Sequence, residues 1–332
     1  MSVRVCLEMS LAALLMCCCA ARADSPPPVP VGPSSAAAAE CDSVCLNGFV
    51  DQFLMAAIAH DPSRLPTTAN VRYTENGQAL ALGEGLWVTM SGASDYKLYV
   101  PDPSVEQVGY LGAVQERGAT SLLALRLKVE GMKISQIEAI IARPPQDAPD
   151  TYDRIDPVAP IFLDRVPESS RLPRYRMIAI ANTYFDAIEK NSGEMAPFAD
   201  DCVRRENGVI TAGDPRAQNI DHLKFNLTAL NCRQQLDTRV MQFISRVSPR
   251  RFVSVDAEHG LVFTLPMFML DGTVPAMEKL ADGEMMPAPS FARHPSTMIA
   301  GEVFKIVDGR IVSIESVTTL VPYGSKHGWE TN

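Results

Sequence analysis

Two copies of Glu-Asn-Gly, each a short way after an apolar helical run, are the first candidates for acid–base chemistry. They lie in "RYTENGQ" at residues 72–78 and in "VRRENGV" at residues 203–209. Alternation along a strand puts Tyr73 and Glu75 on one face, and a carboxylate in an apolar pocket becomes a usable base near neutrality. The alternative is a hairpin turn in which Asn76 and Gly77 supply positive φ. We weigh the turn above catalysis for this tripeptide.

Other polar residues are predicted to complete a pocket in the first half of the chain. A phenol or lysine beside a cation can act as the acid or stabilise an oxyanion, and aromatic walls hold a ring by stacking. Two histidines lie in irregular stretches of the second half that could cover a pocket, whereas His259 is interpreted as a solvated turn residue. The predicted catalytic residues are Tyr73, Glu75, Tyr96, Arg126, Lys128 and His222, and the predicted substrate-binding residues are Asn76, Trp87, Tyr99, Arg251 and His294.

The chain is predicted to be an internal duplication. Amphipathic helices in "CLNGFVDQFLMAAIAHD" and "RYRMIAIANTYFDAIEKN" each precede a proline-bearing loop and Glu-Asn-Gly. Two strand–glycine turn–strand segments share Ile-Glu at Ile137-Glu138 and Ile314-Glu315, and further hairpins are expected around Asp102 and Asp256. The wider spacing in the second unit indicates about 46 extra residues, which we place mainly in "TAGDPRAQNIDHLKFNLTALNC" and "DGTVPAMEKLADGEMMPAPSFARHP".

The domain prediction begins with segments that take no part in the fold. Residues 1–23 read as a secretory signal peptide and residues 24–40 as a disordered Pro/Ala-rich leader. A lipid anchor is the poorer alternative. The first domain then spans residues 41–145, a linker 146–170, and the second domain with its insertions 171–332. The net charge of −9 and the lack of a basic run argue against nucleic acid as a partner, and no stretch after the signal is long enough to span a bilayer.

Four cysteines remain after the signal: Cys41, Cys45, Cys202 and Cys232. An even number in an exported chain favours disulfides over metal binding. Three connectivities are possible, and we prefer Cys41–Cys45 with Cys202–Cys232 because each bridge then stays within one domain. The first bridge requires a non-helical Cys41. Four free thiols are the alternative.

An N-terminal helix, a loop and a run of strands ending in a Gly-turn hairpin with Ile-x-x-Ile-Glu resembles the NTF2-like (SnoaL-like) fold. In particular, "FADDCVRRENG", "RRFVSVDAEHGLVF" and "PYGSKHGW" resemble exported tandem NTF2-like proteins, although Ser325 and His327 depart from the usual ending. The resemblance implies an α+β fold of two tandem NTF2-like (cystatin-like) cones, each a curved, mostly antiparallel sheet wrapped around an N-terminal helix. It also implies a monomer in which the two copies form an intramolecular pseudo-dimer.

Such a fold implies a pocket rather than a reaction. No cofactor or metal motif occurs, so we expect a cofactor-free enzyme. By analogy with NTF2-like lyases, the leading hypothesis is a lyase that removes formaldehyde from a small aromatic, lignin-derived diaryl alcohol in the periplasm or outside the cell. The alternatives are a non-catalytic exported protein that binds an apolar small molecule, and an NTF2-like isomerase, dehydratase or hydrolase.

Overall fold

The computed structural model describes residues 41–214, 216, 227–275 and 277–329; the predicted signal peptide and leader lie outside them. The fold begins with helix α1 (Ser43–Ile58), whose N-terminus is capped by Asp42 accepting a hydrogen bond from the Cys45 backbone N–H at 2.9 Å. One stripe of α1, including Leu46, Phe49 and Phe53, is buried against the first sheet. The amphipathic pattern therefore forms the predicted helix.

The first sheet has six strands and wraps around α1. In chain order they are β1 (Thr67–Glu75), β2 (Gln78–Leu80), β3 (Met90–Asp102), β4 (Gln107–Glu116), β5 (Ala119–Glu130) and β6 (Lys133–Ala142), with the short helix α2 (Leu86–Thr89) before β3. The order across the sheet is β2-β1-β6-β5-β4-β3, and only the β1–β6 pair is parallel.

A connection with the short helix α3 (Pro160–Leu163) leads to the second unit, which repeats the first. Helix α4 (Arg174–Lys190) is followed by β7 (Phe198–Glu206), β8 (Val209–Ala212), the short helix α5 (Cys232–Asp237), β9 (Arg246–Asp256) and β10 (Leu261–Leu270). The hairpin β11 (Met277–Lys279) and β12 (Met285–Pro287) precedes β13 (Ser296–Val307) and β14 (Arg310–Pro322). The second sheet has the order β8-β7-β14-β13-β10-β9, the same topology as the first.

Equivalent positions in the two units differ by constant offsets. The offset is 131 from α1 to β2 (Gln78 to Val209), 154 in β4 (Gln107 to Leu261) and 177 in β5 and β6 (Ala119 to Ser296). The extra residues therefore form two equal insertions, one between β8 and β9 and one between β10 and β13. The α+β fold of two tandem cones, the duplication and the position of the insertions are as predicted.

Each Glu-Asn-Gly forms a hairpin turn, and its asparagine side chain hydrogen-bonds to the strand that comes last in the chain order of its unit. Asn76 and Asn207 adopt left-handed φ angles of 48° and 47°. The Asn76 side chain accepts from the Ile141 N–H at 2.8 Å and donates to the Ile141 carbonyl at 3.2 Å. Asn207 makes the same pair of bonds to Thr318, at 2.8 and 3.0 Å. The repeated tripeptide is thus part of the fold, as the turn interpretation predicted.

The two sheets pack through the faces that do not contact the helices. Their shared core includes Leu111 and Leu122 from the first sheet and Phe263 and Val303 from the second. The two glutamates of the repeated Ile-Glu lie in this interface: Arg251 binds Glu138 with both guanidinium nitrogens, at 2.6 and 2.8 Å, while Glu315 lies against Tyr96 and Arg205. Each glutamate is therefore held by a residue from the other unit.

Both disulfides form as predicted. Cys41 joins Cys45 across the cap of α1, with Cys41 outside the helix, and Cys202 in β7 joins Cys232 at the start of α5. Disulfides are typical of proteins from oxidising, exported environments. No helix among the described residues combines the length and apolarity that a membrane crossing needs.

Candidate functional site

The interior of the second cone contains a buried cluster of polar side chains, which we call the Arg204 cluster: Tyr184, Arg204, Glu206, Gln235 and Glu302. Tyr184 lies on the buried stripe of α4, and Arg204 and Glu206 share one face of β7 by strand alternation. Glu302 lies on β13 between Ala300 and Phe304, which pack in the core of the second cone, so its side chain faces the same interior.

Arg204 is fully buried and lies at the centre of the cluster. Its Nε is 2.9 Å from Glu206 Oε1, and a second guanidinium nitrogen donates to Gln235 Oε1. Gln235 in turn donates to the carbonyl of Leu227 at 2.8 Å. Helix α5, tied to β7 by the Cys202–Cys232 disulfide, therefore closes over this end of the cone.

Glu302 is the most perturbed acid of the cluster. Burial, and secondarily the charge of Glu206, raises its pKa to about 8, although Arg204 opposes this effect. Its Oε2 atom has no hydrogen-bond partner among the described residues. Burial also raises the pKa of the Tyr184 phenol. For Arg204, burial alone would lower the pKa, but Tyr184, Glu206 and Glu302 together raise it, so the guanidinium stays charged.

The first cone is less polar at the equivalent positions. By the constant offsets, Phe53 corresponds to Tyr184, Tyr73 to Arg204 and Leu125 to Glu302, while Glu75 corresponds to Glu206. Three interior side chains have thus gained a hydroxyl or a charge in the second cone only. Buried charges add little net stability even when they are paired. The charged cluster of the second cone, which the first cone lacks, is therefore a candidate functional site.

Sequence reasoning missed most of this cluster. Tyr184 was read as part of an apolar helical stripe, Arg204 only as the equivalent of Tyr73, and Glu302 was not considered. One signal was available: aligning the two copies on the Ile-Glu pairs places Glu302 opposite Leu125 in the middle of a buried strand.

The predicted pair Tyr73 and Glu75 does come together in the first cone. The Tyr73 hydroxyl donates to Glu75 Oε2 at 2.9 Å, and the Leu86 N–H donates to the same oxygen at 2.7 Å. Arg143 bridges Glu75 Oε1 and Glu116 Oε1, each at 2.9 Å. Because every oxygen of Glu75 is occupied, the contacts favour a structural role in which Glu75 anchors α2.

A cavity of about 490 Å³ opens beside this network, lined by Glu75, Glu116, Ser121, Arg143 and Pro145 among others. Hydrogen bonds from Arg143 and Thr89 outweigh burial and lower the pKa of the Glu116 carboxyl. Both carboxylates pair with Arg143, and Arg117 also lines the cavity.

The prediction that Tyr96, Arg126 and Lys128 line the first cone is wrong. Leu125 and Leu127 face α1, so alternation turns Arg126 and Lys128 to the other face of the sheet. Arg126 lies there 3.6 Å from Glu138, and Lys128 pairs with Glu130 at 2.6 Å. Strand periodicity shows which residues share a face, but it does not show which face is inside.

Tyr96 lies in the core between the two sheets, and a register irregularity between Ala93 and Lys97 decides which residues of β3 face inward. Burial and then Glu315 raise the pKa of its phenol. Arg251, predicted to bind substrate, is engaged with Glu138 in the same interface.

The remaining predicted substrate-binding residues are dispersed. Trp87 is buried edge-on against Phe53 with ring centroids 5.3 Å apart, and Asn76 belongs to the turn. The Tyr99 hydroxyl donates to Asp51 at 2.6 Å. His294 is an exposed residue that ends a short 3-10 helix. His222 lies outside the described residues.

Comparison with known proteins adds the following. Residues 170–318, the second unit, match the model of a domain of unknown function, DUF8021. No curated protein matches the chain. Similar solved structures include a putative polyketide cyclase from Silicibacter sp. TM1040, with 13% identity over 45% of this chain and 92% of that one and a TM-score of 0.29.

Two further structures have similar values. An LEH-like epoxide hydrolase of M. tuberculosis is 14% identical over 44% of this chain and 84% of its own, with a TM-score of 0.24. LinA is 12% identical over 48% of this chain and 94% of its own, with a TM-score of 0.25. Each likeness spans less than half of the chain at low identity, so the function is argued from the site itself.

Proposed function

We propose that this protein is a cofactor-independent enzyme that performs acid–base chemistry on a small apolar molecule in its second cone, with Glu302 as the acid and Glu206 as the base. The observation that carries the proposal is the buried Glu302 carboxyl, whose Oε2 has no partner among the described residues, beside Arg204 and Tyr184. Buried polar atoms are rarely left unpaired without a water, a ligand or a catalytic role to explain them.

The environments of the two carboxyls differ in the way that acid–base catalysis requires. Glu302 is enclosed and its pKa of about 8 leaves it protonated near neutrality, so it can donate a proton. Glu206 is partly exposed and forms an ion pair with Arg204, so it can accept one. Pairs of titratable groups with divergent surroundings are a recurring basis for assigning acid and base.

The other residues of the cone suit an apolar substrate with a polar handle. Phe185, Phe268 and Phe304 pack against one another in the core of this cone, and an aromatic ring would pack against them. Arg204 and Tyr184 would stabilise negative charge that develops on a substrate oxygen, an effect that is strong where water is excluded. Helix α5 must move for a substrate to enter, since Gln235 now occupies the guanidinium.

Within this class we retain loss of formaldehyde from a diaryl primary alcohol as the specific reaction to test. Glu206 would take the alcohol proton, the carbon–carbon bond would break to release formaldehyde, and its electrons would form the new double bond. As this double bond forms, the bond from its carbon to a neighbouring ether oxygen would break, and that oxygen would take the proton of Glu302. Isomerisation, dehydration and hydrolysis use the same two carboxyls and are the alternative reactions.

The setting proposed for this enzyme is exported. The two disulfides agree with an oxidising compartment. We propose domains at residues 41–145 and 171–332, joined by a linker at 146–170, which together act as a monomeric pseudo-dimer. A small apolar or aromatic molecule is the proposed partner.

The test is turnover of a panel of diaryl and phenylcoumaran-type alcohols, assayed for formaldehyde and for stilbene absorbance without added cofactor. We expect release by the wild type, a loss of at least 100-fold in Glu302→Gln, and no change in the matched control Glu130→Gln, whose carboxylate is exposed. Turnover that survives in Glu302→Gln contradicts the assignment. A ligand-induced rise in melting temperature with no turnover of any panel member would instead support the non-catalytic binding protein.

A further inference from the structure

A second cavity, of about 330 Å³, lies away from both cone interiors. It is bounded by the start of α1, by β3, by the connection around α3 and by the turn between β9 and β10. Phe162 and Leu261 supply apolar wall. The polar lining is Ser43, Asn47, Lys97, Tyr99, Arg165, Asp256, Glu258 and His259. Of the two carboxylates, Glu258 pairs with Arg165 at 2.6 Å and Asp256 with His259. A volume of this size is typical of a small-molecule site.

His259 is held in one orientation at this cavity. Its Nδ1 is 2.7 Å from Asp256 Oδ2, while Asp256 Oδ1 accepts the backbone N–H groups of Glu258 and His259 at 2.9 and 3.1 Å. Lys305 donates to the His259 carbonyl at 2.7 Å, which fixes the backbone. With Nδ1–H assigned as the donor to the carboxylate, Nε2 is left as an acceptor. This Nε2 atom forms no hydrogen bond with any of the described residues.

Lys97 contributes an uncompensated positive charge. Its equivalent in the second unit is Arg250, since Lys97 pairs with Gly112 and Arg250 with Pro266, at the same place in the two sheets. Arg250 is neutralised by Asp186 at 2.6 Å and Glu189 at 3.0 Å from α4.

The equivalents of these two carboxylates in α1 are Met55 and Ile58, and the carboxylate of α1 on this face, Asp51, accepts from the Tyr99 hydroxyl at 2.6 Å. Lys97 accordingly forms no ion pair within the described part of the chain. An unpaired ammonium at a cavity is suited to a carboxylate ligand.

The pseudo-symmetric place is built differently. Arg174, at the start of α4, binds Asp102 there at 2.8 Å. The equivalent of Arg174 is Ser43, and the equivalents of Asp102 and Val105 are Asp256 and His259. Duplication alone therefore does not produce this arrangement, because the Asp256–His259 pair and the unpaired ammonium of Lys97 occur in one of the two places.

We propose that this cavity binds a small hydroxy acid with an apolar body, its carboxylate paired with Lys97 and its hydroxyl donating to Nε2 of His259. The body of the ligand packs on Phe162 and Leu261. The site is separate from the Arg204 cluster and does not depend on the function proposed for the second cone.

Calorimetric titration of the full mature chain with 4-hydroxybenzoate tests this site. We expect saturable binding by the wild type, weaker binding of benzoate, which lacks the hydroxyl, and weaker binding of 4-hydroxybenzyl alcohol, which lacks the carboxylate. Lys97→Met and His259→Leu should each weaken binding of 4-hydroxybenzoate at least tenfold. The exposed Lys133→Met serves as the control and should leave it unchanged.

Absence of saturable binding, or equal affinity in Lys97→Met and the wild type, overturns the proposal. Lys97→Met leaves the Asp256–His259 pair intact, so the test holds even if His259→Leu folds poorly. Equal binding of benzoate and 4-hydroxybenzoate overturns the role of His259.

Discussion

Glu302 in the second cone occupies the position that Leu125 has in the first. Both lie in the middle of the first strand of the final hairpin, on the face that packs against the N-terminal helix of the unit. One fold thus accommodates either leucine or glutamic acid at this interior position. The comparison with Leu125 therefore identifies Glu302 as a side chain that folding does not require.

The first prediction concerns stability against pH. The pKa of Glu302 is raised from 4.5 to about 8 in the folded chain, so the native state binds its proton more tightly than the unfolded state. The contribution of this group to the free energy of unfolding is therefore greatest below pH 4.5, falls as the pH rises from 4.5 to 8, and stays constant above pH 8. Urea unfolding should give a free energy of unfolding that is on the order of 3 kcal/mol lower at pH 9 than at pH 5, and this difference should depend on Glu302.

Glu302→Gln should remove most of that slope, because glutamine does not titrate. Glu315, whose pKa burial raises to about 7, adds a smaller slope of the same sign that should persist in the variant. An identical pH dependence in the wild type and Glu302→Gln would show that Glu302 does not carry a raised pKa.

A second prediction concerns the cost of breaking the cluster. Arg204→Met removes the cation but leaves Glu206 and Gln235 without their partner, so we expect a loss of about 3 kcal/mol in the free energy of unfolding. The double variant Arg204→Met/Glu302→Leu also replaces the acid Glu302. It should recover part of the lost free energy of unfolding, because its interior approaches that of the first cone. Chemical denaturation of the wild type, the two single variants Arg204→Met and Glu302→Leu, and the double variant measures the coupling, and strict additivity would contradict it.

A third prediction concerns the repeated turns. Asn76→Ala removes two hydrogen bonds to Ile141 and places alanine at a φ of 48°, so we expect a loss of about 1–3 kcal/mol. Asn207→Ala should cost a similar amount because its bonds to Thr318 are equivalent. Thermal unfolding checks both, with the exposed Asp308, which shares the left-handed φ, as the matched control site. A loss at Asp308→Ala as large as at Asn76→Ala would assign the effect to backbone conformation alone.

A fourth prediction concerns the contact between the two sheets. Arg251→Met should destabilise the chain more than Arg165→Met. Arg251 binds the buried Glu138 with two bonds, whereas Arg165 binds the half-exposed Glu258 at the surface. We expect about 3 kcal/mol for the buried pair and under 1 kcal/mol for the surface pair. Equal losses in the free energy of unfolding for the two variants, measured with denaturant, would show that Glu138 does not help to hold the two units together.

Local patterns were enough to predict the fold but not the site. Amphipathic helices, alternating strands and the two Glu-Asn-Gly turns each depend on neighbours in sequence, so the duplication, the two insertions and both disulfides were predicted correctly. The Arg204 cluster joins Tyr184 to Glu302 across the whole second unit, and these two residues each lie inside an apolar pattern that conceals them. The facing of Arg126 and the register irregularity before Lys97 likewise depend on how strands pair.

The most direct test of the central claim is the pH dependence of turnover on the first substrate that the alcohol panel identifies, compared between the wild type and Glu302→Gln. If Glu302 is the acid, wild-type kcat is level up to neutrality and falls as pH rises through about 8, because the proton that it donates is lost. Glu302→Gln should then be at least 100-fold slower at every pH. A variant with wild-type turnover, or a wild-type rate that rises through pH 8, would contradict the assignment of Glu302 as the catalytic acid.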